Sequence, residues 1–142
     1  MSKRTFIFLL VLFIFSLTTK AQNKKQIDSL LNVISSSKND SAKVNNYNKI
    51  VWHYLFSDTS QAKRFLLKSE KIASKNKKTH GYNEIMNLRG IMKDIKGETD
   101  SAKFYFKKTL ELSRKNRHKV IEVRSINNLG MLFWNQGNYK MP

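Results

Sequence analysis

A fixed spacing of 40 residues runs through this chain and limits what it can fold into. Three pairs of small residues share that spacing: Ala62 and Ala102, Gly90 and Gly130, Gly97 and Gly137. A period of this length is typical of proteins built from stacked supersecondary units, because one unit alone cannot bury its apolar face. Proteins of this kind usually offer a binding surface, so the spacing favours binding over catalysis.

The pattern of apolar residues and helix breakers predicts an all-α fold. Four apolar residues within Ile27–Ile34 follow the i, i+3, i+4, i+7 spacing of an amphipathic helix, and a serine run at 35–37 ends it. Asp40 or Ser41 is the expected N-cap of the next helix. Helices are predicted at 41–56, 60–76, 79–96, 99–115 and 119–136. Because the connections are short, neighbouring helices are expected to form antiparallel hairpins.

Small residues inside the predicted helices indicate where helices approach each other closely. Gly90 and Gly130 lie within helices, where glycine costs about 1 kcal/mol relative to alanine. Since this cost recurs at one phase of the repeat, we expect a second helix to pass close by. Ala62 and Ala102 suit the opposing position.

The remaining repeat positions mark helix ends and bulky packing residues. Gly97 and Gly137 follow predicted helices, where a residue in the left-handed conformation closes the last turn. Leu66 and Phe106 come one turn after the alanines and provide bulk for the core.

This arrangement resembles the tetratricopeptide repeat, in which a small residue of helix A precedes an alanine and a bulky residue of helix B. The matching residues are Leu129, Gly130, Phe133, Gly137 and Tyr139 in the third unit, Gly90, Gly97, Ala102 and Phe106 in the second, and Ala62 and Leu66 in the first. Ile50 replaces the first glycine, and the period of 40 resembles the longer-repeat subtype. The resemblance implies a TPR-like α-solenoid of about two and a half repeats, at about 39–78, 79–118 and an incomplete 119–142.

The N-terminus has the features of a secretory signal peptide over residues 1–21. Lys3 and Arg4 precede a 12-residue apolar run, and small residues at Thr19 and Ala21 allow cleavage near Ala21. We therefore expect export to the periplasm or the extracellular space, with an N-terminal membrane anchor as the alternative. Residues 22–38 would then form an N-terminal amphipathic helix, and no transmembrane span is expected in the mature chain.

The order of segments after the signal peptide is similar to the N-terminal sensory region of Bacteroidetes-type sensor histidine kinases and regulators. The segments are Ala-Gln at the cleavage site, Ile-Asp-Ser-Leu-Leu, Asp-Ser-Ala-Lys-Val and then the long repeats. The resemblance implies an extracytoplasmic protein-protein interaction or sensory module, a truncated input region of a signalling protein. The alternative is a self-contained secreted adaptor that binds an anionic partner through its basic surface.

The family resemblance also implies a concave groove lined by the first helix of each unit. The candidate groove residues are Tyr47, Asn48, Tyr54, Asn87, Asp94, Arg124, Asn127, Asn128 and Trp134. Asparagine amides can bind a peptide backbone through both donor and acceptor atoms. The expected partner is a protein or peptide, with self-association through the open C-terminal repeat as a further expectation.

Charge and composition exclude several functional classes. Lys and Arg outnumber Asp and Glu by 27 to 10, a formal net charge of +17, which either reflects a solvated lysine-rich surface or attracts an anionic partner. The chain has no cysteine, and His53, His80 and His118 lack metal-binding spacing. No catalytic motif is present, so we expect no enzyme activity, no cofactor and no metal, and nucleic acid is not an expected partner.

Overall fold

The computed structural model describes Thr5, Phe8 and residues 23–137 of the chain. The predicted signal peptide at 1–21 lies outside the described residues except for Thr5 and Phe8, and so does Tyr139 of the third unit. Among the described residues, none of the helices combines the length and the apolar character needed to cross a membrane.

Residues 23–137 form an all-α structure. We number the helical stretch at 23–36 as α1, and the following helices are α2 (Asp40–Tyr54), α3 (Thr59–Ala73), α4 (His80–Ile95), α5 (Thr99–Lys115) and α6 (Lys119–Asn135). The predicted bounds of α2–α6 agree with these to within three residues. Apolar spacing and local breakers therefore determine where these helices lie.

Side-chain caps begin three of the helices. The Asn39 side chain accepts a hydrogen bond from the backbone N–H three residues later at 3.1 Å, which satisfies an otherwise unpaired donor of α2. The prediction of Asp40 or Ser41 as this cap is wrong, because α2 already includes both residues. Asp58 and Thr79 cap α3 and α4 in the same way.

The helices pack as antiparallel hairpins that stack into an α-solenoid, as predicted. Helices α2 and α3 form the first hairpin and α4 and α5 form the second, and α6 packs against α5 as the first helix of a third unit. Helix α4 contacts α2, α3, α5 and α6, so it is the centre of the described structure.

Two hydrophobic clusters hold the hairpins together. The larger cluster joins α1, α2, α3 and α4 and includes Val51, Leu66 and Ile85. The smaller cluster joins α5 and α6 and consists of Ala102, Phe106, Leu129, Leu132 and Phe133. Ile91 of α4 packs against both clusters, so one helix couples the two parts of the core.

Helix α4 closely approaches α2 at Gly81 and α5 at Gly90. A Cβ atom added to Gly90 would lie 2.4 Å from the nearest ring atom of Phe106, which is too close for a side chain unless the ring moves. The residue opposite Gly90 is thus Phe106. Ala62 and Ala102, which suited that position in the sequence, are fully buried in the two clusters. Gly130, at the same phase in α6, is half-buried.

Candidate functional site

A cavity of about 360 Å³ opens on the face shared by α2, α4 and α6. Each of the three repeat units contributes residues to the cavity lining. The lining residues are Asn45, Asn48, Lys49, Trp52, His80, Glu84 and Arg124. Of the residues predicted for a groove, Asn48 and Arg124 lie here.

The Glu84 carboxylate organises this cavity. Its Oε1 accepts a hydrogen bond from the Trp52 indole N–H at 2.9 Å and another from the Arg124 guanidinium at 2.9 Å. Trp52 belongs to α2 and Arg124 to α6, so one carboxylate of α4 orients side chains from both neighbouring units. A charged acceptor strengthens both bonds, because charge-assisted hydrogen bonds are about twice as strong as neutral ones.

The second carboxylate oxygen of Glu84 keeps unused bonding capacity. Glu84 is 5% exposed, and its Oε2 is buried without a hydrogen-bond partner among the described residues. An unsatisfied buried acceptor costs about 1–3 kcal/mol, and more for a charged group. A ligand or an ordered water can supply the missing donor.

The cavity rim is cationic and partly aromatic. Lys49 is exposed, and the Arg124 side chain remains 48% exposed although it pairs with Glu84. Trp52 is 37% exposed, which leaves part of its indole ring accessible. The site therefore offers a stacking surface and spare cationic donors, a combination suited to carboxylates and backbone carbonyls.

A second cavity, of about 420 Å³, adjoins the first at Asn45 and His80. Helix ends form most of its wall, and the ion pair that borders it, Lys75 with Asp40 at 3.4 Å, is exposed to solvent. Exposed ion pairs contribute little to stability or binding. We therefore place the candidate site at Glu84 rather than here.

The part of the chain that the structure describes contains no group of three or more His, Asp or Glu side chains that could hold a metal ion. The residues that line the Glu84 cavity provide hydrogen-bond donors, acceptors and the indole ring of Trp52.

Asn48 sits at the junction of three helices. Its Nδ2 donates to the Gly81 carbonyl of α4 at 3.0 Å, and its Oδ1 accepts from Ser69 Oγ of α3 at 2.7 Å. Asn48 is 4% exposed. Both polar atoms of this predicted groove residue therefore have partners within the protein.

Asn87 and Asn128 make the corresponding connection between the second and third units. Asn128 Nδ2 donates to Asn87 Oδ1 at 2.9 Å, and Asn87 is fully buried. These two predicted groove residues thus join α4 to α6. A buried amide pair of this kind fixes the register of two helices, because apolar side chains alone tolerate sliding.

The predicted aromatic anchors of the first unit pack against α3. The rings of Tyr47 and Tyr54 lie 6.2 and 5.9 Å from the Phe65 ring between centroids, and the Tyr54 ring is stacked on it. Both tyrosines are half-buried. The face that carries them points toward the second helix of its own unit, so they do not reach the Glu84 cavity.

Three further predicted residues lie on exposed surface away from the cavity lining. Asp94 is at the C-terminal end of α4, and Asn127 and Trp134 are on the outer face of α6. Asp94 and Trp134 lie 40 and 80 residues after Tyr54, and Asn127 lies 80 residues after Tyr47, so these residues occupy equivalent positions in the repeats.

Sequence reasoning missed Trp52, Lys49 and Glu84. A signal for part of this site is present in the sequence: Glu84 and Arg124 are 40 residues apart and hence equivalent in adjacent units. Opposite charges at equivalent positions predict an ion pair across stacked helices, as observed at 2.9 Å. No comparable signal marks Trp52, because its distance to Glu84 follows from how α2 packs on α4.

No protein-family model, curated protein or solved structure matches this chain significantly. We therefore infer function from the Glu84 cavity and the sequence, and the relation to tetratricopeptide repeats stays a prediction.

Proposed function

We propose that this chain is a protein-interaction module of the tetratricopeptide-repeat type, which binds a segment of a partner protein in the Glu84 cavity. The observation that carries the proposal is the convergence of Trp52, Glu84 and Arg124 from three repeat units on one cavity. A site assembled from separate units suits an extended ligand that runs across them.

The chemistry of the cavity favours an acidic ligand segment. Lys49 and Arg124 are cationic, and the one carboxylate, that of Glu84, already accepts from Arg124. The formal charge of +17 on the whole chain adds a long-range attraction for an acidic partner. An aspartate, glutamate or terminal carboxylate would bind the remaining guanidinium donors, and a backbone N–H of the same segment would supply the donor that Glu84 Oε2 lacks. An apolar side chain would stack on Trp52.

The export and sensory parts of the proposal depend on sequence alone. The N-terminal 21 residues have the pattern of a signal peptide, and the segment order resembles the input regions of sensor kinases and regulators. On this proposal the module acts outside the cytoplasm and reports the binding of its partner to a separate output module.

The binding proposal is tested by calorimetric titration with an oligoglutamate peptide as the probe. Arg124→Ala should weaken binding about tenfold or more, because it removes the exposed guanidinium of the cavity. Arg114→Ala is the matched control: Arg114 also pairs with a glutamate, Glu122, at 3.1 Å, but lies outside the cavity. Its affinity should stay within about twofold of the parent chain.

Two results would contradict a specific site. One is an oligolysine peptide that binds as well as oligoglutamate. The other is an equal loss in Arg124→Ala and Arg114→Ala together with a steep fall of affinity with salt. That second result would support the alternative function, an adaptor for anionic polymers that uses its whole basic surface.

A further inference from the structure

An exposed apolar stripe runs along the outer face of α6. Val120, Val123, Met131 and Trp134 are 62%, 56%, 65% and 69% exposed. They lie seven and four residues before Asn127 and four and seven residues after it. At about 100° per residue, all four side chains fall within about 40° of the Asn127 direction, so they form one continuous surface. We call these five residues the α6 stripe.

The preceding units cover the same face with other helices. Asn83 and Asn87, one period before Val123 and Asn127, are fully buried, because α6 and the turn before it lie over them. One period earlier still, Tyr47 packs against an aromatic ring of α3 with the centroids 6.2 Å apart. In α2 and α4 another helix contacts this face, whereas in α6 the same face is exposed.

The α6 stripe is complementary to itself. An antiparallel copy of α6, related by a two-fold axis beside Asn127, brings Val120 opposite the partner's Trp134 and Val123 opposite the partner's Met131. The two Asn127 amides meet at the axis, where each can donate to and accept from the other. We propose that the chain forms a two-fold symmetric dimer through the α6 stripe, with the asparagine pair setting the register.

Area and charge indicate how strong this dimer is. At the observed exposed fractions, the four apolar side chains present on the order of 400 Å² per copy. A symmetric pair buries about twice that area plus its flanks, close to the lower limit of about 1,200 Å² for stable interfaces. Two chains of charge +17 also repel each other. The dimer should therefore be weak at low salt and tighter at high salt, as screening reduces the repulsion.

The first test is sedimentation equilibrium of the full chain over a wide concentration range, at low and high salt. We expect a monomer–dimer equilibrium that shifts toward dimer with salt. Val123→Lys should weaken it about tenfold or more, because it buries a charge opposite Met131. Val33→Lys is the matched control: Val33 of α1 is also exposed, at 46%, and its variant should dimerise like the parent. Equal circular dichroism of the two variants confirms that both are folded.

The second test uses the absence of cysteine from the chain. Asn127→Cys places a single thiol beside the proposed axis, where the two copies come within disulfide distance. Under mild oxidation it should form a covalent dimer much faster than Asn32→Cys, which places the thiol on the exposed surface of α1. A parent chain that stays monomeric, association that continues beyond the dimer, or equal cross-linking of both variants would overturn the proposal.

Discussion

At the scale of single residues, a histidine pair connects the second hairpin to the third unit. His118 lies in the turn before α6, its Nδ1 accepts from Asn83 Nδ2 at 2.8 Å, and its ring centroid is 5.4 Å from that of His80. Burial and the neighbouring His80 together lower the pKa of His118 below its ordinary value of 6.5. The folded state therefore favours the neutral ring, which keeps the Asn83 hydrogen bond.

This shift predicts how stability depends on pH. Because the folded pKa of His118 is lowered, its full contribution is present above about pH 6.5 and is lost as the pH falls toward the folded value. Urea unfolding between about pH 8 and 5 should show a falling free energy of unfolding. The slope should decrease in His118→Gln and persist in His53→Gln.

Two carboxyl groups, those of Glu98 and Glu122, add a separate pH dependence. Hydrogen bonds from Lys93 to Glu98, and from Lys119 and then Arg114 to Glu122, hold the pKa of both carboxyl groups below 4.5. Their contribution to stability is present above about pH 4.5 and is lost as the pH falls below it. A pH slope that is the same in the parent and in His118→Gln would contradict the assignment.

At the scale of helices, a left-handed residue follows α4, α5 and α6 near their C-terminal ends. Gly97 and Gly137 have φ angles of +73° and +68°, whereas Arg117 after α5 has a φ of +59°. In both α4 and α5 a backbone N–H then reaches back five residues: Glu98 to the Lys93 carbonyl, and His118 to the Ser113 carbonyl. The turns after α4 and α5 share this backbone geometry, but the Cβ atom of Arg117 raises the energy of the left-handed conformation.

Arg117→Gly should therefore stabilise the protein. Glycine adopts this conformation without a Cβ clash, and we expect a gain of about 0.5–1 kcal/mol in the free energy of unfolding. Lys107→Gly, at an exposed position inside α5, should lower stability by about the same amount. Urea denaturation measures both, and a loss of stability in Arg117→Gly would show that the Arg117 side chain makes a contact that outweighs the strain.

At the scale of the whole molecule, α4 is the helix on which most of the other described helices pack. This helix packs on α2, α3, α5 and α6, whereas α6 joins the smaller cluster through one face and exposes the other. In a stacked-repeat protein, the stability of each unit depends on its neighbours. The terminal unit should therefore open more readily than the centre.

Native-state hydrogen exchange should show this gradient. We expect the slowest amides in α4 and the fastest helical amides of the repeats in α6, because a helix with fewer buried contacts opens at lower free energy. Uniform protection across α2–α6 would contradict it and would indicate a single cooperative unit. At protein concentrations that favour the proposed dimer, the amides of α6 should gain protection more than those of α4.

The sequence predicted the helices of the repeats well because the signals are local. Apolar spacing and breakers predict the bounds of α2–α6 to within three residues, and the fixed period predicts their pairing into hairpins. The groove predicted from the family resemblance stays a prediction. Arg124 was identified and lies in the cavity, but Tyr47 and Tyr54 pack on Phe65, one helix face away. The 40-residue period shows which positions are equivalent, but it does not show which neighbouring residues each side chain contacts.

The sequence by itself determined the all-α fold, the repeat length and the close helix contact at Gly90, since these follow from helix periodicity and backbone sterics. Only the tertiary structure decided that Trp52, Glu84 and Arg124 meet in one cavity, and that hydrogen bonds of Asn48 and Asn87 join neighbouring helices. The reason is geometric: one residue along a helix rotates a side chain by about 100°, so the packing angle of each helix selects which residues converge.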